Sequence, residues 1–293
     1  MLVIFPVSHR DISQAVPLAK LIEKLGKAQG HNALVSVSSK CMATHSNEVA
    51  KFIKALEVSF DKVSFYEVEG NIEPETLAGR SILFPNIIGA NAMFKSTVHY
   101  VLNNMPEDFY WFELDNCPTR VGWLQELDAE YYRAKNRKKS FLGCITNANS
   151  YTKMGDGSVV VKETVNAFMV GTAIYPANLP HFTTLWEAAR LQPWDIKCRE
   201  EILPHAEHTS KIFHNWGTCN YRVLDTDVVC DKSNKHTPAK LAISLEELFN
   251  YAVVHGCKDL SLQKLVLDRA QAVEDKPQTA QTISKAKKKE LTH

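Results

Sequence analysis

Asn86 to Leu127 reads NIIGANAMFKSTVHYVLNNMPEDFYWFELDNCPTRVGWLQEL, and this stretch decides the fold. Its spacing predicts a helix over Ala92 to Leu102, a strand over Asp108 to Leu114 (DFYWFEL), and a helix from about Thr119 to Arg133. The strand is aromatic and apolar, and two acids close it: Glu113 and Asp115, flanking Leu114. Upstream, Leu2 to Val7 (LVIFPV) reads as a buried first strand, with Pro6 marking its end. Val16, Ala19, Ile22 and Leu25 recur at helical spacing and Gly26 supplies a stop. Pro17 fits a first helical turn, so the regular helix is expected to begin near Ser13. Asn32 to Val37 is a second strand, SSKC a loop, Glu48 to Leu56 a helix, and Lys62 to Val68 a third strand. Alternation of strand and helix over about 130 residues predicts an α/β fold, a Rossmann-like, mainly parallel sheet flanked by helices.

Beyond Phe141 the pattern is mixed. FLGCI (Phe141 to Ile145) and AFMVGTAIY (Ala167 to Tyr175) read as strands, separated by a polar, glycine-bearing loop over Asn147 to Gly157. His181 to Leu191 and Ser244 to Val254 read as helices, and 226–271 as a C-terminal helical extension. From 272 to the end the composition turns polar and basic (SKAKKKELTH), which reads as a disordered tail.

The bulk composition narrows the class. Hydrophobic residues make up 45% of the 293-residue chain, enough for a sizeable core. With 34 basic and 33 acidic residues, no global field advertises a polyanion partner, so a nucleic acid would need a local patch. The seven cysteines are scattered, odd in number and without a CxxC pair, which favours free thiols in a reducing compartment. MLVIFPVSHRD has no basic region ahead of a long apolar one, and no apolar run approaches the roughly 18 residues of a membrane span. A cytoplasmic protein without a membrane anchor is expected.

In a sheet of this kind, ligands bind outside the carboxyl ends of the strands. Ser8 to Asp11 follow strand one, Ser38 to Lys40 strand two, and Glu113 to Asn116 the Asp108 strand. Residues two apart on a strand face one side, so Glu113 and Asp115 form a hard oxygen site suited to Mg²⁺ or Mn²⁺ with a diphosphate. The alternative is a turn that begins at Asp115, with Glu113 facing solvent.

The same stretch resembles the core signature of the GT-A glycosyltransferases. Its pieces are Gly89-Ala90-Asn91, the helix Ala92 to Tyr100, Glu113-Leu114-Asp115 in place of a DxD motif, Pro118, and Trp123-Leu124. FPVSHRD (Phe5 to Asp11) is similar to the segment that holds the nucleotide after the first strand, and the resemblance continues, more weakly, to about Tyr221. It implies a catalytic domain over 1–225, with a nucleotide-sugar half to about 140 and an acceptor half over 141–225. It implies a donor site drawn from Pro6, Ser8, Arg10, Asp11, Ser38, Asn91, Glu113, Leu114 and Asp115. Asp115 would be the metal ligand, and Glu113, where the family has Asp, would meet the sugar or ribose or reach the metal through water. The donor it implies is a UDP-sugar, UDP-glucose among the candidates.

A second cluster is dense in Asp, Glu, His and Trp: Trp194-Asp195, Glu200-Glu201, His205, His208 and His214. By position Asp195 resembles the family's general base and His214 the late histidine that completes the metal site. An attacking hydroxyl must lose its proton, which gives a base its place; a retaining mechanism would need none. Glu187 and Glu201 are the next candidates, and Asp195 as a helix cap over Ile196 to Ile202 is the structural alternative. His205, His208 and His214 as a zinc site, or as surface histidines, stay open. Trp186, Trp194 and Trp216 frame the cluster as stacking platforms or as core.

The order FPVSHRD, GANAMF, WFELDNCPTRVGWL, MVGTAIYP, WDIKCREEI, HNWGTCNYR resembles tailed-phage glycosyltransferases, some of which modify hydroxymethylated pyrimidines in DNA. The acceptor it implies is such a base, flipped from the duplex. RAKNRKK (Arg133 to Lys139) and Lys285 to Lys289 are the basic runs available to phosphates, and Tyr151 to Ser158 a loop placed to close over donor or acceptor. A glycan, lipid or protein acceptor, a nucleotidyltransferase, and a nucleotide-binding protein without catalysis remain alternatives.

Overall fold

Four apolar strands set the frame. The computed structural model describes residues 1–68, 87–153, 159–178, 194–214, 219–224, 227–232, 240–256 and 260–274. In chain order the strands are β1 (Leu2–Val7), β2 (Ala28–Ser38), β3 (Phe60–Val68), β4 (Phe109–Trp111), β5 (Asn116–Pro118), β6 (Phe141–Lys153), β7 (Val159–Tyr175), β8 (Ala206–His208), β9 (Ile212–His214), β10 (Cys219–Leu224), β11 (Asp227–Lys232), β12 (Lys240–Ser244) and β13 (Val253–His255). The long helices are α1 (Ile12–Lys24), α2 (Ser39–Leu56), α3 (Ile87–Asn104), α4 (Trp123–Asn136) and α5 (Ser261–Glu274). No helix among the described residues is long and apolar enough to cross a membrane.

The main sheet has seven strands in the order β3-β2-β1-β4-β7-β6-β8. β3, β2, β1 and β4 are parallel, and β7 enters antiparallel between β4 and β6. Alternation along each strand feeds two cores. Val3, Phe5 and Val7 face one cluster with Ala15, Leu18 and Ile22 of α1 and Leu124 and Leu127 of α4; Leu2 and Ile4 face the other with Phe94, Val98 and Val101 of α3. Each fully buried Val, Leu, Ile or Phe of this kind contributes about 1.5–3 kcal/mol. Ser36 falls among apolar neighbours, and its hydroxyl lies 2.5 Å from that of Thr97, which donates onward to the Met93 carbonyl at 2.7 Å.

Several expected boundaries move, each for a local reason. Pro6 lies inside β1, paired with Ser36. Leu2 donates to Asp108 and Ile4 accepts from Phe112, so this set of residues turns its backbone groups toward β4. The missing N–H of Pro6 therefore falls beyond the end of the β1–β4 ladder, where no strand needs it. α1 starts at Ile12 and carries Pro17 in its interior rather than in its first turn. The SSKC segment is no loop: Ser38 caps α2 by accepting from Cys41 N at 3.2 Å, and the helix bends at His45 before the expected Glu48 start.

The Asp108 strand ends at Trp111, earlier than expected, and Glu113 to Asp115 form a turn closed by Asn116 N donating to the Glu113 carbonyl at 2.9 Å. The polar stretch after Phe141 continues as strand to Lys153, with 154–157 outside the described residues. Ser244 to Val254 is not one helix: β12 ends at Ser244, a single turn covers Leu245–Leu248, and β13 begins at Val253. Among its described residues, the 226–271 extension is helical in that turn and in α5 and carries β11, β12 and β13 besides. The expected helix over His181 to Leu191 and the tail from 275 lie outside the described residues.

One contact between β6 and β7 has no room to spare. A Cβ on Gly143 would stand 2.7 Å from both Ala173 Cβ and Met169 Cγ. Gly143→Ala is expected to lower stability by about 1–3 kcal/mol, read as a lower urea midpoint at unchanged slope.

Candidate active site

The small sheet β5-β13-β9 builds the centre of the site. β5 follows the Glu113–Asp115 turn directly and pairs antiparallel with β13, so Asn116 and His255 are register partners. β13 pairs parallel with β9, setting His255 beside His214. Gly256, at φ 96°, turns the chain away after His255 in a conformation that favours glycine, and its N–H donates to the Asp115 carbonyl at 3.1 Å.

His255 Nε2 thus lies 2.9 Å from Glu113 Oε2 and 3.3 Å from Asp115 Oδ1. Asp115 is 5% exposed and His255 12%, whereas Glu113 at 39% opens to solvent. Burial by itself lowers the basicity of His255, but Asp115 and Glu113 outweigh it and push its pKa up to about 10. The two carboxylates therefore already draw a positive charge to this point. One ligand atom from each of Glu113, Asp115 and His255 falls within 4.8 Å of the others, and this is the one such metal-capable group among the described residues. Two hard oxygens and an imidazole suit Mn²⁺ or Mg²⁺ that keeps open positions for a diphosphate.

The β1–α1 turn borders the same point. Ser8 donates through its N–H (2.8 Å) and its hydroxyl (3.0 Å) to Asp11 Oδ1, and Arg10 N donates to Ser8 Oγ at 3.3 Å. Burial pushes the Asp11 carboxyl up to about 6, the Ser8 donors pull it back, and Asp115 adds to the rise, which places Asp11 within the field of the carboxylate site. β1 is the switch point of the sheet, with β2 on one side and β4 on the other. The turn after β1 and the Glu113–Asp115 turn thus flank the crevice where such sheets bind ligands.

Asp195 reaches the site from the other side. It sits in the helical turn Trp194–Lys197; Oδ2 accepts from Gly171 N (3.1 Å) of β7 and Oδ1 from Ile196 N (2.9 Å). Burial, then the charge of Glu113, pushes its carboxyl up to about 7, with the two backbone donors opposing. The turn is pinned by Asn91, whose Oδ1 accepts from Trp194 N at 3.1 Å, and by Phe94, whose ring stacks on Trp194 at 3.8 Å. β7 is pinned in turn: Thr172 donates to the Trp111 carbonyl at 3.1 Å and receives Asn116 Nδ2 at 2.7 Å. A continuous set of contacts therefore joins Asp195 to the Glu113–Asp115 turn.

Of the expected site residues, the structure gathers Ser8, Asp11, Glu113, Asp115, Asp195 and His214 around this crevice. Leu114 instead belongs to the core at 1% exposure, and Asn91 supports the Trp194 turn. Ser38 serves as the α2 cap, Pro6 lies within β1, and Arg10 is exposed. The histidine that meets the carboxylates is His255, which the motif order does not mark; His214, expected as a ligand, stands next to it, with Nδ1 atoms 2.6 Å apart. Only the apolar Val253-Val254 pair running into His255-Gly256 hinted at a strand that ends in a functional histidine.

Trp194 is core, 6% exposed. His208 accepts from Ile145 N through Nδ1, and no group joins it with His205 and His214 among the described residues. Cys198 is a buried thiol pushed up to about 12 by that burial. Glu187, Trp186 and Trp216 lie outside the described residues.

Fold and crevice together define an α/β protein of the GT-A type. No family model matches the sequence, and neither does any curated protein. Solved structures do match. The galactosyltransferase LgtC, in complex with donor and acceptor sugar analogues, aligns over 96% of this chain and 99% of its own at TM-score 0.52 and 11% identity. An active-site mutant of LgtC aligns over 93% and 96%, also at TM-score 0.52 and 11% identity. TarS of S. aureus covers 71% of this chain and 57% of its own at TM-score 0.40 and 12% identity. The chain shares the fold of LgtC over almost its whole length.

Proposed function

We propose that this chain is a glycosyltransferase that moves a sugar from a UDP-linked donor to a hydroxyl acceptor. In this reading Glu113, Asp115 and His255 hold Mn²⁺ or Mg²⁺ against the donor diphosphate. The observation that carries it is their convergence, within 4.8 Å, at the carboxyl end of the central strands. When bound, such a cation neutralises the negative charge of a departing diphosphate. The chain's own groups do the rest. Ser8 and Asp11 form the wall beside β1 against which the nucleotide lies. Asp195, poised near neutrality, takes the proton of the attacking hydroxyl. Support for glycosyl transfer also comes from the shared fold with LgtC, described as a galactosyltransferase.

For the acceptor, the motif order favours the hydroxymethyl group of a modified pyrimidine in phage DNA, with the enzyme working in the host cytoplasm. A glycan, lipid or protein acceptor gains weight from one observation. The basic run after Tyr132 is tied down: Lys135 pairs with Asp108 at 2.6 Å, Arg137 with Glu207, and Lys139 donates to the Pro204 carbonyl at 2.8 Å. Asp108 precedes β4, so these cations lie at the amino-terminal edge of the sheet, opposite the carboxylate site. Phosphate contacts beside the crevice must then come from other residues.

The test incubates the purified chain with a panel of nucleotide sugars and Mn²⁺, with and without DNA containing 5-hydroxymethylcytosine or 5-hydroxymethyluracil. Nucleosides from the digested DNA are then weighed by mass spectrometry. A hexose- or pentose-sized gain on one base supports both parts of the proposal. Metal-dependent hydrolysis of one donor without that gain keeps glycosyl transfer and moves the acceptor away from DNA. Inertness toward every donor overturns the reading.

A further inference from the structure

We infer that His214 is a positioning residue that fixes which nitrogen of His255 is offered to a metal ion; the inference rests on the metal-dependent reading above. β9 and β13 run parallel with these two histidines in register, and their ring centroids lie 4.7 Å apart with 18° between the ring planes, so the rings meet nearly edge to edge. The Nδ1 atoms are 2.6 Å apart, so one of them carries a proton and the other accepts it. Across the His255 ring, Nε2 is the atom that faces Glu113 at 2.9 Å and Asp115 at 3.3 Å.

A cation between these groups needs the lone pair on Nε2. A neutral His255 then carries its proton on Nδ1, and His214 Nδ1 is the acceptor that keeps it there. His214 in turn holds its own proton on Nε2. Without the acceptor, His255 is free to take the other tautomer, whose Nε2–H points at the place a cation would occupy. Metal-bound histidines generally depend on such a partner at the opposite nitrogen, and its loss costs about 10–100-fold in metal affinity. Here a second imidazole takes the position that a carboxylate or carbonyl usually fills.

The test measures Mn²⁺ binding to the full chain by electron paramagnetic resonance of the free ion, with no donor present. His214→Phe keeps a flat ring against His255 and removes the acceptor; its Mn²⁺ affinity is expected to fall about 10–100-fold. His214→Asn places Oδ1 where Nδ1 stood and should return affinity to within a few-fold of the parent chain. Affinity unchanged in His214→Phe, or no recovery in His214→Asn, overturns the inference.

A second measurement does not depend on how the variants fold. In the Mg²⁺-loaded parent chain, long-range ¹H–¹⁵N correlations should show His255 protonated on Nδ1 and His214 on Nε2. The reverse pattern overturns the assignment. A parent chain that binds no Mn²⁺ removes the metal reading itself, and this inference with it, which separates the two failures.

Discussion

Asp195→Asn is expected to lower turnover by roughly 10²–10⁴-fold while leaving the donor's dissociation constant within a few-fold of the parent value. The carboxyl belongs to the crevice through Glu113, whose charge raises it, yet no ion-pair partner of opposite sign offsets that effect among its causes. Its pKa near 7 makes it half-charged around neutrality, the condition in which a base both exists and still gains from taking a proton. Turnover of the parent chain should therefore rise through pH 7 as the carboxylate forms.

The same shift has a consequence for stability. In the unfolded chain an aspartate titrates near 4. Between pH 4 and 7 the folded state thus binds more protons at this group than the unfolded state, and stability from it falls as pH rises. The stability of Asp195→Asn relative to the parent should move in the variant's favour from pH 4.5 to 7.5 and level off above. Asp11, which is also raised, contributes equally to both proteins and cancels. Urea melts across that range check the sign. A relative stability that is flat with pH, or a variant of full activity, removes Asp195 from the role of base.

The first half of this architecture was legible because its signals are local. LVIFPV, NALVSV and DFYWFEL are apolar runs between helix-period segments, and β1, β2 and β4 with α1, α3 and α4 follow in the order that pattern gives, with ends shifted by a few residues. Asp115 stood out because it follows an apolar run, and Asp195 because its position in a cluster of Asp, Glu, His and Trp resembles that of the family's general base. Local signals fail where pairing at long range decides. The turn at Glu113 looked like continuing strand, since the reason Asn116–Pro118 leaves the main sheet is a partner, β13, more than 130 residues later. Ser244 to Val254 has helix-like spacing, yet Val253–His255 is taken up as the strand between β5 and β9. Tertiary pairing overrode propensity there, and it hid His255. The sequence therefore pointed to His214, whose register partner is the histidine that meets the carboxylates.

Asp115→Asn should weaken Mn²⁺-supported donor binding at least about 100-fold, or roughly 2.7 kcal/mol, as read by calorimetry with and without the metal. The size follows from place. Asp115 is the most buried of the three groups proposed as ligands, at 5% exposure, and its Oδ1 lies 3.3 Å from His255 Nε2. An amide there retains the shape and gives up the charge that a hard cation requires. The variant should still fold, because the tie from Gly256 N runs to the Asp115 backbone carbonyl, not to its side chain. Glu113→Gln should cost less, since Glu113 is 39% exposed and water can take its place on the ion. His255→Leu should match Asp115→Asn for Mn²⁺, since in the proposed site each deletes one buried ligand of the same cation. That equality is the sharper part of the prediction. If Asp115→Asn abolishes metal-supported binding and His255→Leu spares it, the cation sits on the carboxylates alone and the β5-β13-β9 sheet only shapes the crevice. If donor affinity with Mn²⁺ is unchanged in both, the convergence of these three side chains is an ion pair of the fold, and the diphosphate is held elsewhere.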